Sequence, residues 1–333
     1  MAKFSIIIPV RNGGEYLKQA LQSILAQTYQ HFNVLILESG STDGSIEYIQ
    51  SIKDERVILH TIAESFGIVE NWARILTVER NEFMTILGQD DILLPNYLEV
   101  INALIEQYPD ASLYQTQFNQ IDAKSKLIKP CKKMAEIENA EFFLTSILDN
   151  TIDFMASGFM MRSKDYDAVG GIPNYPNLLF ADFELFLELT KISYLAVSPQ
   201  VCFEFRIHQS TTTVSADKKF QEAFAQFITY LEKLQKEDAN YNKIIANHAE
   251  NFLLFYCKGL VHRLIRKPKA SRPGVSVANF IQQCKLFAAR LMPGKPFNPE
   301  KIPSIKLAKV IDRFAVTRKA FLFYKKIYSK PVL

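Results

Sequence analysis

The most constraining feature of this chain is an alternation in its first 120 residues. Short apolar runs of strand length are each closed by a polar cluster and succeeded by a segment of helical spacing. Phe4–Val10 (FSIIIPV) reads as a buried strand, and Gly14–Gln27 carries Leu17, Ala20, Leu21, Ile24 and Leu25 at helical intervals. Phe32–Leu37, Val57–Thr61, Phe83–Leu87 and Ala111–Gln117 repeat the strand pattern, while Ser41–Ile52, Val69–Arg80 and Asn96–Gln107 repeat the helical one. The alternation predicts an α/β fold built on a mostly parallel sheet with helices on both faces. Such sheets bind ligands beyond the carboxyl ends of their strands. The chemistry is therefore expected in the residues just past each strand: Arg11-Asn12, Glu38-Ser39-Gly40-Ser41 and Gly88-Gln89-Asp90-Asp91.

Farther along, Ala140–Leu148 reads as helix, Phe154–Met161 as strand, Ala181–Lys191 as an amphipathic helix with an acidic start, and Val201–Ile207 as strand. From about Ser215 the pattern is helical throughout, over Ala216–Lys236, Ile244–Arg266, Val275–Met292 and Ile305–Tyr328. An apolar share of 48% against 22% charged residues excludes a disordered chain. The four cysteines show no CxxC spacing, which suggests a reducing compartment and no zinc site. The start has no leader-like pattern, and no uncharged apolar run is long enough for a membrane span, so a cytoplasmic location is expected. The net charge of +4 hides an asymmetry: from Asn251 onward, 18 Lys and Arg face only Glu300 and Asp312. A basic tail succeeds an acidic body.

Two strand ends have competing readings. Asp90-Asp91 fits a polar turn that starts the next helix, since carboxylates favour helix N-termini. It also fits a site for a hard divalent ion, which takes carboxylate oxygens together with substrate phosphates. In "IIIPVRNGGEYL", Asn12 reads as a helix N-cap with Gly13-Gly14 relaxing the turn, or as a turn placed against a nucleotide base. It is not the GxGxxG pattern of dinucleotide folds. Asn71 and Arg74 share one helix face, either solvated or aimed at a ligand, and Trp72 reads as core.

Taken in order, "SIIIPVRNGGEYLKQALQSILAQTY", "VLILESGSTDGS", "ENWARI", "ILGQDDILLPNYLE", "GFMMRSKDYDAVGGIP", "FADFELFLEL" and "FRIHQSTT" resemble the family 2 glycosyltransferases of GT-A fold. The resemblance covers about residues 3–213 and implies an inverting transferase acting on a nucleotide sugar. It implies a glycosyltransferase domain over 1–214, with a nucleotide-sugar half (1–117) and an acceptor half (118–214), before a basic helical region over 215–333. Pro9, Arg11 and Asn12 would line the nucleotide pocket, and Glu38 and Ser39 would face the base and ribose. Asp90 would lie near the ribose, and Asp91, aided by Asp90, would hold Mn²⁺ or Mg²⁺ on the diphosphate. Arg74, beside Asn71, would approach that diphosphate. Asp182 matches the general base, although its place before Phe183 also fits a helix N-cap. Arg206 and His208 match a segment that closes over the donor, and Gly158 and Phe159 would floor the acceptor site.

This chain departs from the family at two positions. Ser39 stands where an aspartate commonly contacts the base, and Gly88 stands where many members have the first aspartate of DxD. These departures keep a degenerate, non-catalytic nucleotide-sugar-binding module as an alternative. A sugar-1-phosphate nucleotidyltransferase is a further alternative, disfavoured because it expects a Gly-rich basic loop near the N-terminus. The expected acceptor is a glycan or lipid-linked glycan of a cell-surface polysaccharide. A basic helix bearing Leu, Phe and Tyr can lie on an anionic membrane, so residues 251–333 are read as a peripheral contact with the inner face of the cytoplasmic membrane. They also fit a helical extension packed on the body or on a second subunit. Nucleic acid is not expected as a partner.

Overall fold

A computed structural model describes residues 3–62, 64–208, 218–267 and 269–328. The chain forms two compact units, one of Met1–Phe143 with Ile152–His208 and one of Leu144–Thr151 with Gln209–Leu333. The sequence-based boundary at 214/215 lies outside the described residues, as does the end of "FRIHQSTT".

The elements of the first unit begin β1 (Phe4–Val10), α1 (Gly14–Leu25), β2 (Phe32–Glu38), α2 (Ser45–Ser51), β3 (Val57–His60) and α3 (Ile68–Ala73). They continue with β4 (Phe83–Ile86), β5 (Ile92–Leu93), α4 (Tyr97–Gln107), β6 (Leu113–Ile121), β7 (Leu127–Pro130) and β8 (Ile137–Glu138). After α5 (Ala140–Leu148) come β9 (Met160–Arg162), α6 (Ser163–Ala168), α7 (Ala181–Ile192) and β10 (Leu195–Arg206). The sheet order is β3-β2-β1-β4-β9-β6-β10-β5, with β7 on β6 and β8 on β10.

All seven residues of β1 are buried, as a strand covered on both faces requires. β1 pairs in parallel with β2, Val10 opposite Glu38, and with β4, Ile7 opposite Ile86. That register brings three strand ends side by side. The other half of the sheet is mixed: β9 runs antiparallel between β4 and β6, and β10 runs parallel to β6 through register shifts between Ser198 and Phe203. β5 pairs antiparallel with β10, Leu93 opposite Phe203, and so brings the end of β10 to the residues just before β5, the acidic pair.

Local departures from the sequence reading have local causes. Of the expected strand Phe154–Met161 only Met160 and Met161 are extended, as the start of β9. Gly158 turns the chain at φ +78°, where a Cβ would stand 3.1 Å from the Phe203 ring. The helix expected over Val69–Arg80 stops at Ala73 and tightens into a 3₁₀ turn over Arg74–Thr77. Trp72, expected in the core, is half-buried.

The second unit contains α8 (Lys218–Glu237), α9 (Ala239–Arg266), α10 (Val277–Leu291), α11 (Pro303–Arg313) and α12 (Ala315–Tyr328). Phe224 of α8 meets Phe252 of α9 and Phe280 and Phe287 of α10 at centroid distances of 5.7, 6.0 and 5.6 Å. Burying each ring contributes roughly 1.5–3 kcal/mol. Asp238 caps α9 by accepting from the amides of Asn240 and Tyr241. The single helix expected over Ile305–Tyr328 is broken at Phe314, whose φ −110° and ψ 135° are extended. Asp312, fully enclosed, pairs with the buried Arg272 and accepts from the amide of Val277. No described helix is long and apolar enough to cross a membrane.

Candidate active site

The ends of β1, β2 and β4 are stitched together by polar contacts distant in sequence. Gln89 grips the backbone of Arg11 from both sides, accepting from its amide at 3.0 Å and donating to its carbonyl at 3.1 Å. Asn12 adopts φ 51° and accepts from the Thr42 amide through Oδ1, while its own amide donates to Ser41 Oγ. It is therefore not the N-cap of α1. Gly13 holds that position, and Ser45 Oγ accepts from the amides of Gly13 and Gly14. Pro9 is buried within β1, and Arg11 stays exposed, its guanidinium donating to the Phe66 carbonyl.

Glu38 and Ser39 do not present free polar groups to a ligand. The buried Glu38 carboxylate accepts from the amides of Gly40 and Ser41 and shapes its own loop. Ser39 Oγ accepts from the Phe66 amide at 2.8 Å and donates to its carbonyl at 3.0 Å, pinning the segment before α3 over the strand end. Asn71 is buried and donates to the carbonyl of Leu37. Arg74 donates to the carbonyls of Glu38 and His60 and to Asn71 Oδ1. With those acceptors engaged, Asn71 and Arg74 brace the end of β2, which corrects the expectation that Arg74 reaches a diphosphate.

The two members of the acidic pair differ in exposure and in partners. Asp91 is 1% exposed, and it accepts from the Arg206 amide at 2.9 Å and from the Ser157 hydroxyl. Burial, then the Asp90 charge beside it, push its carboxyl well above the usual range, against those hydrogen bonds. A carboxyl so enclosed cannot offer an open face to an ion, which corrects its assignment as the leading metal ligand. Asp90 is the accessible member: its side chain is 25% exposed and its Oδ2 lies 2.6 Å from His208 Nε2. Gly88 leaves room for this arrangement, since a Cβ there would stand 2.7 Å from Asp91 Oδ2 and 3.0 Å from Asp90 Oδ1.

Arg206 holds the loop in place. It is fully buried, and its guanidinium donates to the Asp90 carbonyl, the Asp122 carbonyl, Ser125 Oγ and Gln19 Oε1. It also lies over the Tyr16 ring, 4.7 Å from the centroid, and that ring meets His208 at 5.1 Å. Arg206 therefore does not close over a donor. It ties the acidic loop, α1 and the turn between β6 and β7 into one block. Nothing local in the sequence pointed to Gln19 or Ser125, and Gln89 was marked only by its place in a strand-end cluster, because each acts on a residue at least 78 positions away.

Asp182 sits in the first turn of α7, half-buried, with Oδ1 accepting from the Phe183 amide. Aromatic rings pack close by: Phe183 meets Phe154 at 4.9 Å and Phe180 at 5.7 Å. Lost hydration raises the Asp182 carboxyl to about 7. Phe159 is fully buried, 4.5 Å from Phe186, so it belongs to the core rather than to an acceptor floor. Gly158 is buried at the turn, donating to the Ile86 carbonyl and accepting from the Tyr97 hydroxyl.

Among the described residues no group of three or more His, Cys, Asp and Glu is placed to hold a metal ion. The donor set does suit an ion that arrives with phosphate ligands. Asp90 supplies an accessible carboxylate and His208 an imidazole nitrogen, and such an ion needs only one or two protein ligands. A cleft of about 480 Å³ lies elsewhere in this unit, lined by Asn96, Glu99, Gln107, Glu136, Pro199 and Gln200, and includes none of these residues.

Residues 5–170, about half of the chain, match the model of glycosyl transferase family 2. An uncharacterised glycosyltransferase of Rickettsia typhi is 26% identical over 239 residues, covering 70% of this chain and 73% of that protein. Among solved structures, Staphylococcus aureus TarS aligns at TM-score 0.61 and 13% identity over 92% of this chain, which spans about half (55%) of that one. Its 1–349 fragment in complex with UDP-GlcNAc aligns at TM-score 0.60 and 14% identity, over 93% of this chain and 91% of that one. The mannosyltransferase PcManGT of Pyrobaculum calidifontis, in complex with GDP-Man and Mn²⁺, aligns at 0.50 and 13% identity, over 97% and 88%. At these identities the likeness is one of fold, the α/β GT-A fold with a helical C-terminal part.

Proposed function

From the premise that the chain belongs to glycosyl transferase family 2, we propose that it moves a sugar from a nucleoside-diphosphate donor to a hydroxyl of a glycan or lipid-linked acceptor, with inversion. The observation that carries this reading is the environment of Asp182. A half-buried carboxyl raised to about 7 is matched to proton abstraction near neutral pH. Asp182 takes the proton of the acceptor hydroxyl as its oxygen bonds to the anomeric carbon. The bond from that carbon to the diphosphate breaks from the opposite face, and the electron pair leaves with the diphosphate. A bound Mn²⁺ or Mg²⁺ would act as a Lewis acid on the departing charge, with Asp90 and His208 as its protein ligands. Arg206, Gln89 and Ser39 act by position, fixing the loops that frame the donor.

The TarS fragment and PcManGT both hold nucleotide sugars, which supports a donor of that class here. Cell-surface polysaccharide synthesis and a peripheral place at the cytoplasmic membrane fit a lipid-linked acceptor. A thermal-shift screen of UDP- and GDP-sugars with and without Mn²⁺, then a transfer assay on the hit, tests the reading. A shift that needs both sugar nucleotide and ion, together with transfer, supports it. Binding with neither transfer nor hydrolysis would reassign the chain as the non-catalytic module that Ser39 and Gly88 allow.

A further inference from the structure

The sequence places cations and aromatics together over residues 251–333, but the structure uses most of that apolar content internally. Phe252, Phe280 and Phe287 are buried among α8, α9 and α10. The last two helices differ. Leu307 and Val310 on α11 and Phe314 at the break just after it are all exposed. On α12, Val316, Ala320, Phe323 and Ile327 form a second stripe at spacings of four, three and four. Val316 is 79%, Phe323 67% and Ile327 56% exposed. A surface helix normally turns its apolar stripe inward. Here the outward face is apolar, while Arg318 of the same helix is buried.

We infer that the outward faces of α11 and α12 form a docking surface for an anionic lipid bilayer. Charge selects this occupant. Residues 303–328 contain seven Lys and Arg against one acid, and that acid, Asp312, is enclosed with Arg272. Exposed Lys306, Arg313 and Lys319 therefore flank the stripes with no exposed carboxylate on either helix. A second copy of the chain would bring the same cations against one another. An anionic bilayer accepts both the apolar residues and the cations. Thr317 Oγ1 donates to the Phe314 carbonyl at 2.9 Å and ties the start of α12 to the end of α11.

Flotation of the full chain with vesicles tests this without any sugar nucleotide, so the outcome is independent of the transferase reading. The protein should float with phosphatidylcholine vesicles containing about one-third phosphatidylglycerol, and remain behind with pure phosphatidylcholine. Salt at about 0.5 M should weaken the binding. Phe323→Ser with Ile327→Ser should lower partitioning at least about tenfold, and Arg313→Glu with Lys319→Glu should do likewise. Unchanged circular dichroism would show that these surface variants fold. Equal partitioning of wild type and both double variants, or no binding by wild type, would overturn the inference. Concentration-dependent dimers abolished by Phe323→Ser with Ile327→Ser, with no vesicle binding, would give the face to a second copy instead.

Discussion

Replacing Asp182 by Asn should stabilise the first unit at alkaline pH while removing transfer. Burial raises this carboxyl from 3.8 to about 7 in the folded chain. Below pH 3.8 the group is protonated in both folded and unfolded chains and costs nothing. Between 3.8 and 7 the unfolded chain releases the proton while the folded chain keeps it, so stability falls as pH rises. Above 7 the penalty is complete, because the folded carboxylate is then charged in a poorly hydrated place. A shift of about three units at 1.36 kcal/mol each sets an upper bound of about 4 kcal/mol. Water reaching the half-buried group reduces this to roughly 2 kcal/mol. An asparagine never titrates, so the variant should gain that amount over wild type at pH 8 and almost nothing at pH 4.

The assay is urea unfolding monitored through Trp72, the only tryptophan, which lies in the first unit. Midpoints for both proteins at pH 4, 6, 7 and 8 give the difference directly. In parallel, wild-type transfer should rise to a plateau through a midpoint near 7, and the variant should bind donor without transferring it. A stability difference that stays flat with pH would refute the burial argument. Full transfer by the variant would refute the assignment of the base.

Arg206→Met should cost about 3–5 kcal/mol in the first unit, because it removes a buried cation and leaves its acceptors unpaired. Trp72-monitored unfolding reads that loss, and donor affinity should fall with it as the acidic loop loosens. In the second unit, Asp312→Asn should cost a comparable ~3–5 kcal/mol by leaving Arg272 buried without its counter-charge, read by circular dichroism. Burial, the largest single effect, would raise the Asp312 carboxyl, but the hydrogen bonds from Arg272 and the Val277 amide and the charges of Arg272 and Lys269 together outweigh it and lower the group below 3.8. Its stabilising contribution is thus present above 3.8 and is lost as pH falls through the folded value, so acid should weaken wild type and spare the variant.

The N-terminal alternation was legible because burial on both faces of a parallel strand demands an unbroken apolar run, and Phe4–Val10 and Phe32–Leu37 supply it. The strand-end positions of Arg11, Glu38 and Asp90 came from the same rule. The task of each side chain there did not. Asp90 and Asp91 are neighbours of identical chemistry, and their different surroundings depend on β5 pairing with β10, which delivers the Arg206 amide to Asp91 and His208 to Asp90. Likewise Glu38 and Ser39 look like ligand contacts in sequence but are consumed by Gly40, Ser41 and Phe66.

The sequence by itself determined the parallel start of the sheet, the helical tail and its charge, because periodicity and composition act over a few residues at a time. Tertiary structure decided which carboxylate is open, why Arg206 is a strut, and why α11 and α12 turn apolar stripes outward. Those outcomes depend on burial, and burial is fixed by residues many positions away.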